Sequence, residues 1–236
     1  MMKKFFLVIA FLSMVLHAQA QLFSKERLAN LETFDNRFLS WGYFLGLNQY
    51  DFKLEYENQN TDFDTDILVD AQMGFNVGLI GDLRINRYMN LRLEPGIYFT
   101  QRNLIFPGFE EDKDKIREVK STYIHVPLLL KLSTKRINNF KPFIVMGISR
   151  SINLASNEKN PEDNFEGKFR MTRGTGYYEL GFGIDLYLYY FKFSPSIRGV
   201  FASSNELVPD DDPNSPWTSN ISALQTRGIF LNFTFQ

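Results

Sequence analysis

The chain has 236 residues, a formal net charge of −1 and a mean hydropathy of −0.23, and 44% of its residues are hydrophobic. These values exclude a helical membrane protein, a disordered tail and a basic nucleic-acid-binding protein. Cysteine is absent, which excludes disulfide scaffolds, thiolate metal sites and cysteine nucleophiles.

Residues 1–20 have the three parts of a secretory signal peptide. Lys3 and Lys4 form a basic start, residues 5–16 are apolar, and residues 18–20 read Ala-Gln-Ala, a small-x-small cleavage site. A transmembrane anchor is the alternative, but the apolar stretch is shorter than the about 20 residues that a spanning helix needs. We therefore expect cleavage near Ala20, which leaves His125 as the single histidine of the mature chain.

The mature chain alternates apolar and polar residues with a period of two, the pattern of half-buried strands. In the first strand, for example, Trp41, Tyr43 and Leu45 alternate with Gly42 and Phe44. In the fifth, the facing of the side chains is ambiguous. Eight strands are predicted in all, at residues 41–48, 72–79, 91–100, 123–132, 141–153, 178–186, 191–198 and 228–235.

Short and long connections alternate between these strands. Short ones are expected near residues 86–90, 134–139 and 187–190, and long polar ones near 55–66, 106–118, 156–170 and 202–222. An even strand count with short turns at one end and long loops at the other is typical of outer-membrane barrels. Both chain ends would then lie on the periplasmic side, and the last strand would carry the terminal aromatic residues.

One face of the strands is almost free of charge, whereas the other carries charges of both signs. Because a charge on the lipid face near the midplane costs about 2–4 kcal/mol, the apolar face is expected to contact lipid. A soluble β-sandwich would reverse this assignment. The signal peptide, the alternating loops and the aromatic cluster of Tyr187, Tyr189 and Tyr190 at a short turn favour the barrel. The predicted fold is therefore all-β, an eight-stranded antiparallel up-and-down transmembrane β-barrel over residues 40–236.

Residues 21–39 differ from the strands. Leu28, Leu31, Phe34 and Phe38 are three and four residues apart, which is the spacing of an amphipathic helix. We therefore expect a short helix or arm on the periplasmic side. Leu31, Phe34 and Phe38 are candidate contacts for a partner.

The inward-facing charges form the candidate functional site. Eight strands enclose a lumen that side chains can fill, and an unpaired buried charge costs several kcal/mol. Paired charges that plug the lumen are the favoured interpretation, and a proton or ion path is the alternative. The predicted network comprises Arg92, Glu94, His125, Lys131, Glu179, Asp185, Lys192 and Arg198.

His125 is the one imidazole that could serve as a general base in the mature chain. Its register places it inward in the middle of a strand, where a packed, hydrogen-bonded histidine is favoured over a catalytic one. A single histidine without cysteine is a poor metal-binding set, and no phosphate-binding loop or nucleophile elbow is present. The sequence therefore predicts no enzyme activity, no metal and no cofactor.

The segments GYFLGLN at 42–48 and TRGIF at 226–230, with several others between them, resemble in their order the PorT family of Bacteroidetes. The most specific parts of the resemblance are the loop at 215–218 and the segment at 226–230, and the whole extends from Phe34 to Phe235. The segments read GYFLGLN at 42–48, GDLR at 81–84, LEPG at 93–96, IHVPLLLK at 124–131, KFSPSIRG at 192–199, SPWT at 215–218 and TRGIF at 226–230.

The resemblance implies an outer-membrane barrel required for type IX secretion, which exports proteins with a C-terminal signal domain and supports motility in gliding bacteria. It transfers no catalytic residue. We therefore expect a non-enzymatic accessory or assembly factor whose partners are outer-membrane lipid and other type IX components, with neither nucleic acid nor a small-molecule substrate. Pro216 and Trp217 in the last loop are further candidate contacts. A small-solute channel and a lipid-modifying enzyme that uses His125 are the alternatives.

Overall fold

The computed structural model describes residues 29–57, 67–109, 111, 115–156, 158, 169–210, 215 and 217–236. The predicted signal peptide, residues 21–28 of the predicted arm, and Pro216 lie outside the described residues.

The described chain consists almost entirely of antiparallel strands. Two wall strands are interrupted, one at Gln72 and one at Glu94 and Pro95, so that ten segments make eight strands of the wall. The segments are β1 (Leu39–Tyr56), β2 (Leu68–Ala71), β3 (Met73–Arg84), β4 (Met89–Leu93), β5 (Gly96–Ile105), β6 (Ile116–Ser133), β7 (Phe140–Asn153), β8 (Gly174–Tyr187), β9 (Lys192–Ala202) and β10 (Ile221–Phe235).

The strands close into a ring because the first pairs with the last. Tyr43 of β1 faces Phe235 of β10 on one edge and Leu79 of β3 on the other. Each remaining wall strand pairs with the strands before and after it in the chain. Closure pairs main-chain groups that lipid could not satisfy. The predicted ring of eight antiparallel strands is therefore confirmed.

Connection lengths follow the predicted alternation. Residues 85–88, 134–139 and 188–191 make short turns at the end of the ring where β1 begins and β10 ends. The connections after β1, β5, β7 and β9 are longer and lie at the opposite end. We call the two ends the periplasmic end and the outer end.

The outward face of the wall is apolar over most of its height and charged near the outer end. Trp41, Leu45, Phe75, Leu180 and Phe182 are among its exposed side chains. Ion pairs replace them further up, and because charge on the lipid face is costly, these pairs mark where the strands leave the hydrocarbon. The pairs are Lys53–Glu55 at 2.6 Å, Lys120–Glu118 at 2.7 Å and Arg227–Asp51 at 2.7 Å.

In strand β7 the sequence did not reveal which side chains face lipid and which face the lumen. Ile144, Met146 and Ile148 are exposed on the outward face, whereas Phe143 and Val145 are buried in the lumen. Both faces of this segment are thus apolar. The inward Phe143 ring lies beneath two cations of the lumen, 5.7 Å from the Arg92 guanidinium carbon and 4.1 Å from the Lys131 nitrogen.

The arm that precedes β1 contains one 3₁₀ turn at Phe34–Asn36 in its described part, where the sequence predicted a short helix or arm. Leu31 has a φ of 51°, which is the left-handed region and interrupts helical geometry. Arg136 of the turn between β6 and β7 donates to the carbonyl oxygens of Asn30 and Leu31. Contacts with the barrel therefore set the shape of this segment more than its own helical spacing does.

Candidate functional site

A chain of ion pairs crosses the lumen from β3 to β6. Arg92 of β4 binds Asp82 of β3, with Nη2 2.8 Å from Oδ2. The second amino group of Arg92 lies 3.3 Å from Glu94 Oε1. Glu94 also accepts from Arg198 of β9, with Oε2 2.8 Å from Nη1. One carboxylate thus bridges two guanidinium groups that come from opposite sides of the ring.

The chain continues through Glu179 of β8. Its Oε2 lies 3.0 Å from Arg198 Nε and its Oε1 lies 2.7 Å from His125 Nε2. His125 Nδ1 is in turn 2.5 Å from the Ser151 hydroxyl oxygen. Because a carboxylate accepts hydrogen bonds, His125 donates to Glu179 from Nε2.

A second ion pair lies nearer the periplasmic end. Lys131 of β6 donates to both oxygens of Asp185 of β8, at 2.8 and 2.6 Å. Ser194 of β9 donates to the same carboxylate at 2.7 Å. Lys192 is buried beside this pair, with its nitrogen 4.6 Å from the centre of the Phe34 ring. The cations here are therefore held by carboxylates and by aromatic faces.

The structure places all eight residues of the predicted network in the lumen, each buried. It adds Asp82, which is buried in the lumen and lies beyond residue 79, the end of the predicted second strand. The signal was present in the sequence: Asn76, Gly78 and Ile80 continue the inward alternation to Asp82. Arg92 has its shortest contact with this residue.

Ser151, His125 and Glu179 have the order of a nucleophile, a base and an orienting carboxylate. Their surroundings oppose that chemistry. Ser151 is 1% exposed, and the rings of Tyr98, Tyr177 and Phe230 lie 4.9–5.9 Å from the imidazole. Because these side chains enclose the triad in the described structure, a carbonyl substrate has no open approach to the hydroxyl.

Above this level the lumen is filled by aromatic side chains and a buried arginine. Arg102 of β5 donates to the Tyr123 hydroxyl at 2.7 Å and to Thr226 at 3.1 Å, and it lies 3.8 Å from the Phe52 ring centre. Glu206, in the connection after β9, accepts from the Thr226 hydroxyl at 2.8 Å. Burial raises the pKa of Glu206 above its usual range, and Arg102 and the Thr226 hydrogen bonds partly oppose that rise.

An apolar cluster closes the outer end. It combines strand residues with the described connection residues Phe169, Met171, Leu207 and Trp217, which therefore lie over the mouth. Trp217 is 5% exposed, stacks on Phe109 at 5.8 Å and lies 4.6 Å from the guanidinium carbon of Arg117. We call this cluster the outer cap. Trp217 is buried in it as a packing residue, which does not fit its predicted role as an accessible partner contact.

The arm closes the periplasmic end. Phe34 is buried against Tyr187 with ring centres 6.4 Å apart, and the Tyr187 hydroxyl donates to Asp35 at 2.5 Å. Of the arm contacts predicted from sequence, Phe34 is therefore a plug residue, Leu31 is half-buried and Phe38 is 71% exposed. Only Phe38 presents a fully accessible apolar side chain among these three.

Comparisons with known proteins agree on the architecture. The family model described as "Outer membrane protein beta-barrel domain" matches residues 19–207. No curated protein sequence matches the chain. Among solved structures, Neisserial surface protein A is similar with a TM-score of 0.45 and 7% identity, covering 84% of this chain and 98% of that one.

Two further structures show comparable likeness. The attachment invasion locus protein Ail of Yersinia pestis has a TM-score of 0.38 and 14% identity, with 83% of this chain and 96% of that chain covered. The outer membrane protein OprG of Pseudomonas aeruginosa has a TM-score of 0.38 and 16% identity, with 84% and 93% covered.

Proposed function

We propose that this chain is a non-enzymatic component required for type IX protein secretion. The chain belongs to the family of outer membrane protein beta-barrel domains and resides in the Gram-negative outer membrane. It would act as an accessory or assembly factor through its outer loops and its periplasmic arm. Its partners would be outer-membrane lipid and other components of that secretion system.

The observation that carries the proposal is the filled lumen. Ion pairs occupy its periplasmic half, aromatic rings its middle, and the folded-back loops its mouth. Because side chains fill its lumen, a barrel of this kind does not provide a water-filled path. It is expected to act through its outer surface and its loops. The ordered segments that resemble the PorT family, such as SPWT at 215–218 and TRGIF at 226–230, support the choice of secretion system.

A lipid-modifying enzyme that uses His125 is the second candidate. The Ser151–His125–Glu179 arrangement favours it, and the burial of Ser151 weighs against it. The variant Ser151→Ala separates the two functions, because a nucleophile is indispensable for catalysis but not for an accessory role. Secretion at the wild-type level in Ser151→Ala supports the accessory role, and loss of function in a variant that still folds supports the enzyme.

A small-solute channel is the third candidate and is tested on purified protein. Planar-bilayer recordings of the folded barrel should show no conductance above that of the bilayer alone. Steady conductance would contradict the closed lumen on which the proposal is built.

The deciding experiment deletes the gene and measures export of a cargo protein with a C-terminal signal domain. We expect the cargo to accumulate inside the deletion strain and to reappear in the medium when the wild-type gene is restored. Unchanged export after deletion would remove the proposal. A heat-modifiability gel of each restored variant verifies that the barrel has folded, so that a folding defect is not read as a functional one.

A further inference from the structure

Among the described residues, the ladder of main-chain hydrogen bonds does not run around the whole height of the wall. β1 pairs with β3 only as far as Gln49, which faces Met73. Above that point residues 51–55 pair with β10 on one edge, and β2 pairs with β5 alone. Within the described part of the chain, no ladder joins residues 51–55 to β2.

One extra residue causes this separation. Ala71 faces Arg102 whereas Phe75 faces Phe99, so the segment from 71 to 75 is one residue longer than the segment opposite it. Such a bulge bends the strand and increases its twist. β2 therefore leaves the edge of β1 and follows β5 instead.

The separation opens a groove, which we call the rim slot. Its volume is about 460 Å³. Val69 and Ala71 belong to the inward face of β2, since they pair with the lumen residues Leu104 and Arg102. The rest of the lining comes from the outward faces of β1, β9 and β10, so the edge of β2 lies over the outer side of β1. These residues are Gln49, Asp51, Phe201, Arg227 and Ile229, with Gly228 between them.

Side chains of the protein itself cap main-chain groups along this seam. The Phe52 N–H donates to the Asp51 carboxylate at 2.8 Å, and the Ala71 carbonyl accepts from the Gln49 amide at 3.1 Å. The Ile67 N–H donates to the Tyr56 hydroxyl at 3.0 Å. Backbone groups that would bond a neighbouring strand are thus satisfied by side chains, which can rotate away when a strand replaces them.

We propose that the rim slot accepts an extended polypeptide segment of another protein, which adds a strand along the edge of β1 that faces away from β10, on the cell-surface side. Strand addition uses main-chain hydrogen bonds for affinity and shallow pockets for alternate side chains. The slot supplies both, with an apolar floor of Val69, Phe201 and Ile229 and an ion pair of Asp51 with Arg227 at its side.

The height of the slot favours a polypeptide over a lipid acyl chain. The Asp51–Arg227 pair lines the slot, and the outward Lys53–Glu55 pair lies just beyond it on β1. Such charges belong to the head-group region or the water above it. A segment that lies there is surrounded by polar main chain and ionic side chains, with which a polypeptide can form hydrogen bonds and an acyl chain cannot.

This inference rests on the proposed function for the class of partner, an exported or surface-exposed protein, but its test is separate. The variant Ala71→Trp fills the slot from β2. The neighbouring Asp70→Trp is the matched control, because it places the same side chain on the outward face of the same strand. Both variants are first checked for folding by heat modifiability.

The probe is a photo-cross-linking phenylalanine derivative in place of Ile229, irradiated in intact cells. We expect an adduct with a second polypeptide in the Asp70→Trp background and its loss in the Ala71→Trp background. Peptide mapping should place the cross-link on an extended segment of that polypeptide. An adduct with lipid alone, an adduct confined to the same chain, or an adduct that survives Ala71→Trp would overturn the inference.

Cargo export separates the two proposals. Export that fails in the deletion strain and in Ala71→Trp, but not in Asp70→Trp, supports both. Export that fails in the deletion strain while Ala71→Trp exports normally removes the slot inference and leaves the secretion role. Export that survives the deletion removes the secretion role, and the cross-link then decides the slot alone.

Discussion

His125 and Glu179 meet in the lumen although β7 stands between their strands in the wall, with Nε2 2.7 Å from Oε1. Both side chains are fully buried, and Glu179 is shared with Arg198 of β9. One carboxylate therefore ties three strands together. A buried charge in this group would be costly in the lumen without its partners.

Removal of that carboxylate should destabilise the barrel strongly. Glu179→Ala leaves Arg198 and His125 without their shared partner, and breaking a buried ion pair from one side costs about 3–5 kcal/mol. Denaturant unfolding of the barrel in detergent measures the change in the free energy of unfolding. Glu55→Ala is the control, because its ion pair with Lys53 is half-exposed and such pairs contribute about 0–1 kcal/mol. Equal losses in the two variants would contradict the role given to the network.

A methyl group at Gly147 should disturb the fit between β6 and β7. A Cβ at this position would stand 2.2 Å from the backbone oxygen of Leu128, and overpacking of this kind costs about 1–3 kcal/mol. We expect Gly147→Ala to lower the yield of folded barrel on refolding into detergent micelles. Gly108→Ala is the control, since nothing lies within 4 Å of its Cβ position. A normal yield for Gly147→Ala would contradict the close approach.

The assignment of the outward face to lipid is tested by introducing charge at two heights. Phe182 lies in mid-strand on β8 and is 62% exposed, and an arginine there should cost about 2–4 kcal/mol. Tyr178 lies on the same face nearer the outer end, where the cost falls to about 0–1 kcal/mol. Folding of Phe182→Arg and Tyr178→Arg into lipid vesicles gives the comparison. A soluble sandwich with the opposite facing would show no such dependence on height.

The outer cap should be less stable at higher pH. Burial raises the pKa of Glu206 in the folded state, so the folded protein holds this proton more tightly than the unfolded chain does. The contribution of protonated Glu206 to stability is complete below the pKa that this group has in the unfolded chain. It is lost as the pH rises through the pKa that the group has in the folded protein.

Trp217 reports on this cap when Trp41, the other tryptophan, is replaced by phenylalanine. In this background we expect the midpoint temperature of the thermal transition, followed by Trp217 fluorescence, to fall as the pH rises. Glu206→Gln should flatten the dependence, because glutamine keeps an acceptor for Thr226 without titrating. A dependence on pH that survives Glu206→Gln would assign it to another group.

Two strands extend further toward the outer end than the alternation of apolar and polar residues predicted. Residues 51–56 of β1 and 116–122 of β6 lie above the hydrocarbon, where the outward positions carry Lys53, Glu55, Glu118 and Lys120. Charge on one face and mixed residues on the other erase the alternation from which strands are predicted. Asp82 was missed for a different reason, because the predicted second strand ended at residue 79 although the inward alternation continues to Asp82.

The amino-acid sequence alone determined the ring of eight strands, the alternation of short and long connections and the inward position of the charged network, because lipid and lumen impose opposite polarity on successive residues. Only the tertiary structure decided which charges meet, since pairs such as Lys131–Asp185 depend on strands that are far apart in the chain. It also decided the burial of Trp217 and the separation of β2 from β1. These follow from loop packing and from a single extra residue in one strand, for which a period-two pattern carries no signal.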